Sequence, residues 1–312
     1  MKLLAHFIIK TRHICLFGIL FLGSGQFAYA DIVDPSRTEF VDLQLPDSWY
    51  LGEVAGLEFT PSGQLVVFNR GLHPLLVFDK QGQFEKELGQ GLFKVPHGLF
   101  VDPQGYIWTT DQETHQVLKF DSSGKIHLIL GRKDSPGLGW FDNGYQLNLL
   151  NAPSDVALDS EGNIYVADGG NYRIVKYDNK GNFLTTWGNK GDAPGLFNFP
   201  HSILIDDKDV IYVTDRQNGR IQIFDTQGAF IDEWTNIGYP YELEQYDQNT
   251  LILTDARSGE INKIGMDGKV IERFGKWGKK ESEFGFPHGL AIDKDKIIYV
   301  GELLNWRIQK YR

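Results

Sequence analysis

Residues 152–188 read APSDVALDSEGNIYVADGGNYRIVKYDNKGNFLTTWG. Four short runs rich in Val, Ile, Tyr, Phe and Trp are separated by Asp-x-x-Gly turns and by a polar Asp-Gly-Gly-Asn segment, which predicts four antiparallel strands. The template recurs in both directions from here. Pro96-His97-Gly98 opens one copy and Pro200-His201-Ser202 another, with weaker copies at Glu53-Val54-Ala55-Gly56, Pro240-Tyr241-Glu242 and Pro287-His288-Gly289. The residues closing each second strand are Asn69, Asp111, Asp168, Asp215, Asp255 and Glu302, at intervals of 42, 57, 47, 40 and 47 residues. Six repeats of four strands predict an all-β, six-bladed β-propeller. A parallel β-solenoid is the structural alternative, but its repeats are shorter.

The last copy supplies three strands before Arg312, whereas Glu39–Leu45 (EFVDLQL) alternates like a strand and has no partner of its own. This segment is expected to fill the outer place of the sixth blade and close the ring, which leaves only short, protected strand edges.

Composition agrees with this class. The 312 residues include 35 Gly and 13% aromatics, and 41 acidic against 31 basic residues give a net charge of −10. An acidic chain lacks the basic face that binding to a phosphate backbone needs. At the N-terminus Lys2, Lys10 and Arg12 precede an apolar stretch from Ile14 to Leu22, and Ala28-Tyr29-Ala30 has the form of a cleavage site. Residues 1–30 therefore read as a secretory signal and 31–312 as the propeller. An uncleaved anchor is the alternative, with an apolar run short for a membrane span. Cleavage leaves 28 basic against 41 acidic residues, a net −13, and removes Cys15, the sole cysteine. The expected product is an exported monomer, periplasmic or secreted, without disulfides and without a membrane partner.

Strand direction gathers the Pro-His positions, the acids closing each second strand and the interblade links on one rim. His97, His201 and His288 hold the same place in copies two, four and six, roughly 120° apart around a six-fold ring. Three neutral imidazoles with an open fourth place suit a catalytic zinc or similar divalent ion. The alternative is that each histidine only bonds a neighbouring backbone group. Arg70 and Arg216 lie on the same rim, where a guanidinium would orient a carboxylate or offset negative charge; an Asp–Arg rim pair is the other reading. Arg173, Arg220 and Arg307 are expected to pair structurally between blades, and His73, His115 and His127 to be satisfied locally or face solvent. The long link Gly131–Asn151 carries Trp140, Phe141 and Tyr145, and reads equally as a water-excluding lid or an ordinary insertion.

The pattern Pro-x-Gly-x-x-x-Asp-x-x-Gly-x-x-Tyr-Val-x-Asp-x-x-Asn-x-Arg-Ile-x-x-Phe-Asp resembles the NHL repeat, a marker of fold more than of function. The segments VPHGLFVD…IWTTDQETHQVLKFD, FPHSILID…YVTDRQNGRIQIFD and FPHGLAID…YVGE also resemble the peptidyl-α-hydroxyglycine α-amidating lyases. That resemblance implies zinc on His97, His201 and His288, and active-site roles for Arg70 and Arg216. It implies calcium on the backbone carbonyls of Val54 and Leu99, with Gly289 where the family has an aspartate. The family's catalytic tyrosine falls in a turn that here reads Asp168-Gly169-Gly170-Asn171-Tyr172-Arg173, one residue shorter, with glycine in its place.

Two functions are therefore expected. The first is a metal-dependent carbon–nitrogen lyase releasing a peptide amide and glyoxylate from a small or peptidic α-hydroxyglycine substrate. The second is a non-catalytic propeller binding a peptide, protein or glycan at its rim; lactone hydrolysis is a further propeller chemistry.

Overall fold

The computed structural model describes residues 37–137 and 149–312. Six four-stranded antiparallel sheets follow one another in chain order, each running from an axial inner strand outwards. The inner strands are Glu53–Phe59, Pro96–Val101, Asp155–Leu158, Pro200–Ile205, Pro240–Asp247 and Pro287–Ile292. Two 3-10 turns, Gly169–Asn171 and Arg216–Asn218, join the second and third strands of blades three and four. Among the described residues no helix is long and apolar enough to cross a membrane.

The strand-to-strand turns explain the recurring Asp-x-x-Gly. In the turn Asp159–Gly162, Asp159 Oδ1 accepts hydrogen bonds from the backbone N–H of Glu161 and Asn163. Gly162 takes φ +79, a left-handed conformation that side chains resist.

The core lies between blades. Each pair of neighbouring sheets buries its own apolar cluster, and six such clusters complete the circle. Phe68 and Phe120 pack between blades one and two, and Phe197 and Phe224 between three and four. Sheet stacking of this kind makes every blade depend on both neighbours.

Closure follows the expected place with a shorter strand than the sequence suggested. Thr38–Phe40 pairs with Arg307–Tyr311 as the outer strand of blade six, Thr38 opposite Tyr311 and Phe40 opposite Gln309. The rest of the alternating segment peels away from that blade because its apolar side is used elsewhere. Val41, Leu43 and Leu45 pack against the cluster between blades six and one, and Gln44 bridges to Gln83 of blade one. Leu43→Ala is therefore expected to cost about 1–2 kcal/mol in chemical denaturation, since a half-buried leucine is removed where the ring is sealed. The same change at the exposed Leu184 is expected to cost under about 0.5 kcal/mol.

The long link lies partly outside the described residues: Trp140, Phe141 and Tyr145 are not among them, and nor is the N-terminal segment 1–30.

Candidate metal centre

Equivalent positions at or beside the start of the six inner strands are Ala55, His97, Ser154, His201, Tyr241 and His288. The three histidines are 3%, 0% and 1% exposed in chain order. Their ring centroids are 4.6, 4.7 and 5.0 Å apart, the near-equal spacing of a pseudo-three-fold. One ring nitrogen from each lies within 4.8 Å of the other two.

The neighbouring blade sets the tautomer. His97 Nδ1 donates to Ser154 O (2.8 Å), His201 Nδ1 to Tyr241 O (3.0 Å) and His288 Nδ1 to Ala55 O (2.8 Å). A carbonyl only accepts, so Nδ1 carries the proton and Nε2 keeps its lone pair. The backbone-bonding role and the ligand role are thus compatible: an anchored Nδ1 is what orients a metal-binding imidazole. Thr110 and Thr214 brace the same carbonyls, donating to Ser154 O and Tyr241 O.

Burial keeps these rings neutral. His97 and His201 are held well below the usual histidine range, first by burial, then by neighbouring histidines (His288 for the first, His97 and His288 for the second) and the nearby arginines. Burial followed by Arg70 brings His288 down to about 3. His201 Nε2 is buried without any hydrogen-bond partner, a costly state for a polar atom that a bound cation would relieve. Three neutral, oriented, dry nitrogens form a donor set that can hold a metal ion; ligands of a tetrahedral zinc sit about 3.4 Å apart, within reach of small side-chain rotations.

The two rim arginines differ. Arg70 is committed to the protein: its Nε donates to Pro96 O (2.9 Å) and Nη1 to Glu53 (3.1 Å). Arg216 has no ion-pair or side-chain hydrogen-bond partner among the described residues, and its Nε is buried and unsatisfied. Its charge reaches all three histidines, lowering each. Arg173, Arg220 and Arg307 are structural, but not between blades as the sequence suggested. Each bonds the acid closing the second strand of its own blade, Asp168, Asp215 or Glu302, because the turn between those residues brings them opposite one another. They then tie down the preceding link through carbonyls such as Leu149 O, Leu196 O and Glu283 O. His73 bonds Glu87, His115 accepts from Ala152 N, and His127 bonds Asp121, so each is satisfied locally.

The short turn has a steric reason for its glycines. A Cβ on Gly170 would lie 2.6 Å from Asn151 O, and one on Gly169 would lie 3.0 Å from the Phe199 ring. Tyr172 follows with φ +57 and packs towards blade four, its ring 5.1 Å from Lys190 Nζ. The phenol beside the histidines is instead Tyr241, 4.7 Å from His201 and 5.8 Å from His288 between ring centroids. Its place in the fifth repeat, equivalent to the histidines, was a legible signal.

Val54 and Leu99 lie on the inner strands of blades one and two. Gly289 packs against Gly56, where an added Cβ would meet backbone at 3.2 Å. The donor set for calcium implied by the resemblance lacks its charged member.

Sequence reading missed a second tier. Asp155 and Glu242, each one residue beyond the rim position, and Glu58 and Glu244, each three beyond it, line a cavity of about 90 Å³ inside the ring. All four come from odd-numbered blades. Ser202 Oγ lies 2.7 Å from Glu242 Oε1 and 3.1 Å from Asp155 Oδ2. One hydroxyl proton serves one of these contacts, so the other requires a proton on a carboxyl. Burial pushes Asp155 up to about 7 and Glu58 up to about 8, and lifts Glu242 and Glu244 well above the usual range, where neighbouring carboxylates add to it.

Fold and site together define a six-bladed propeller carrying NHL repeats and an axial three-histidine centre. The NHL repeat model matches residues 150–177 and 197–224. Among relatives of known name, the chain is 33% identical over 185 residues to a peptidylglycine alpha-amidating monooxygenase of Rattus norvegicus, covering 49% of this chain and 18% of that protein. It is 32% identical over 167 residues to peptidyl-alpha-hydroxyglycine alpha-amidating lyase 1 of Drosophila melanogaster, covering 44% of this chain and 29% of that one. The matches thus span less than a third of either relative's length. A solved streptogramin B lyase superposes with a TM-score of 0.64 at 16% identity, covering 88% of this chain and 97% of the other, a likeness of fold.

Proposed function

We propose that this protein is a metal-dependent carbon–nitrogen lyase of the amidating type, acting outside the cytoplasm on a small or peptidic substrate ending in α-hydroxyglycine. The observation that carries the reading is the convergence of three neutral, Nδ1-anchored histidines beside an arginine with no acidic partner among the described residues. Zinc bound by His97, His201 and His288 would polarise the substrate hydroxyl and favour its ionisation. Arg216 offers its free N–H groups to the substrate carboxylate, and Arg70 contributes positive potential from its fixed place on Glu53. Loss of the hydroxyl proton lets its electrons form the aldehyde C=O while the C–N bond breaks and nitrogen takes a proton, giving an amide and glyoxylate. A buried rim excludes water from that collapse.

Glyoxylate release from a synthetic α-hydroxyglycyl peptide tests this. Zinc-loaded mature protein is expected to turn the peptide over, and Arg216→Ala to lower kcat/KM by about 100-fold, as loss of a charged contact does. Release no faster than the uncatalysed reaction would leave the second reading, a binding propeller, which the glycines of the short turn favour.

A further inference from the structure

Arg216 is kept free by its surroundings. The acid next to it is fully engaged: Asp215 accepts from Asn198 N, Asn218, Arg220 and Gln222. Among the described residues, two aromatic rings lie against the guanidinium, Phe199 at 4.3 Å and Tyr241 at 5.2 Å from its carbon to ring centroid. Rings attract a cation through their quadrupole without neutralising it, and they make no claim on its N–H groups.

The fold makes concessions to put them there. Phe199 adopts φ +71, a left-handed conformation costly for a bulky side chain, and its ring packs where Gly169 has no Cβ. Arg216 N donates to Phe199 O, which ties the two residues together. Tyr241 is packed in turn by Phe286, 5.1 Å away and itself at φ +62. Strained backbone at Phe199, which touches the cation, and at Phe286, which packs Tyr241, marks a place where geometry outranks local stability.

We propose that Phe199 and Tyr241 are positioning residues, an aromatic sleeve that holds Arg216 ordered and unneutralised so that it reads the anionic group of a ligand lying over the histidines. The proposal rests on the ligand site described above and not on lyase turnover. A carboxylate in place of the sleeve would quench the charge; an aliphatic surround would leave it disordered.

Calorimetry on the zinc-loaded mature protein with lactate and its neutral amide, lactamide, separates the contributions. Arg216→Gln defines the share of the preference for lactate that belongs to the guanidinium, expected to be about tenfold. Phe199→Leu and Tyr241→Leu are each expected to lose at least fivefold of that preference with metal content unchanged, and Phe199→Tyr to keep it. Leucine variants that retain the full preference overturn the sleeve, and so does an Arg216→Gln protein that discriminates like the parent. Glyoxylate release, scored separately, decides the lyase reading whichever way the binding ratios fall.

Discussion

His201→Ala is expected to strip the protein of its metal, from close to one equivalent of zinc to below about a tenth after zinc-supplemented growth. Two remaining imidazoles lose the convergence that three Nδ1 anchors impose, and affinity should fall by at least about 1,000-fold. The consequence for stability has two parts. Without metal, the parent protein holds His201 Nε2 buried and unpaired, so the substitution removes a liability along with packing and the metal-free proteins should unfold within about 2 kcal/mol of each other. With zinc at 1,000 times its dissociation constant, the parent gains about 4 kcal/mol that the variant does not. His127→Ala, on an outer strand against Asp121, is the control and should change neither quantity. A parent protein that holds no transition metal would reduce the histidines to a structural rim and leave the binding reading.

Alkaline loss of stability is the second large effect, and its sign is opposite to that of an ordinary salt-bridged carboxylate. Asp155 and Glu58, raised to about 7 and about 8, hold protons in the folded state that the unfolded chain releases above about pH 4. Stability from these groups is complete at low pH and is lost as pH rises through their folded values. The histidines act the other way: His288, near 3 when folded, costs stability as pH falls below its unfolded value of 6.5. Metal-free protein should therefore be most stable between about pH 5 and 7. Between pH 6 and 9 it should lose about 3 kcal/mol, read as a fall of about 6–10 °C in Tm. Glu58→Gln should flatten that slope, because the amide needs no proton to stay neutral. A Tm at pH 9 within a degree of that at pH 6 would mean that the channel carboxylates ionise freely.

The repeat made the architecture legible, since each blade carries its own turns, alternation and closing acid, and these are local in sequence. The same periodicity exposed the histidines, because equivalent positions in alternate blades must face one axis. Local pattern also located the closing segment, although its division between Thr38–Phe40 in the sheet and Val41–Leu45 against the neighbouring blade depends on where the first and last blades meet. The pairing of Arg173, Arg220 and Arg307 within their own blades follows from a turn geometry that residue spacing leaves open.

Six blades, their order, the axial trio and the acidic balance were all determined by the linear chain, through hydrophobic alternation and the regular return of one template. Only the tertiary structure decided that Arg70 is spent on Glu53 while Arg216 has no ion-pair partner among the described residues, and that four carboxyls from blades one, three and five share one small cavity. Those outcomes depend on side chains from different strands and blades meeting in the fold, where burial and the count of available protons, rather than any local propensity, set their chemistry.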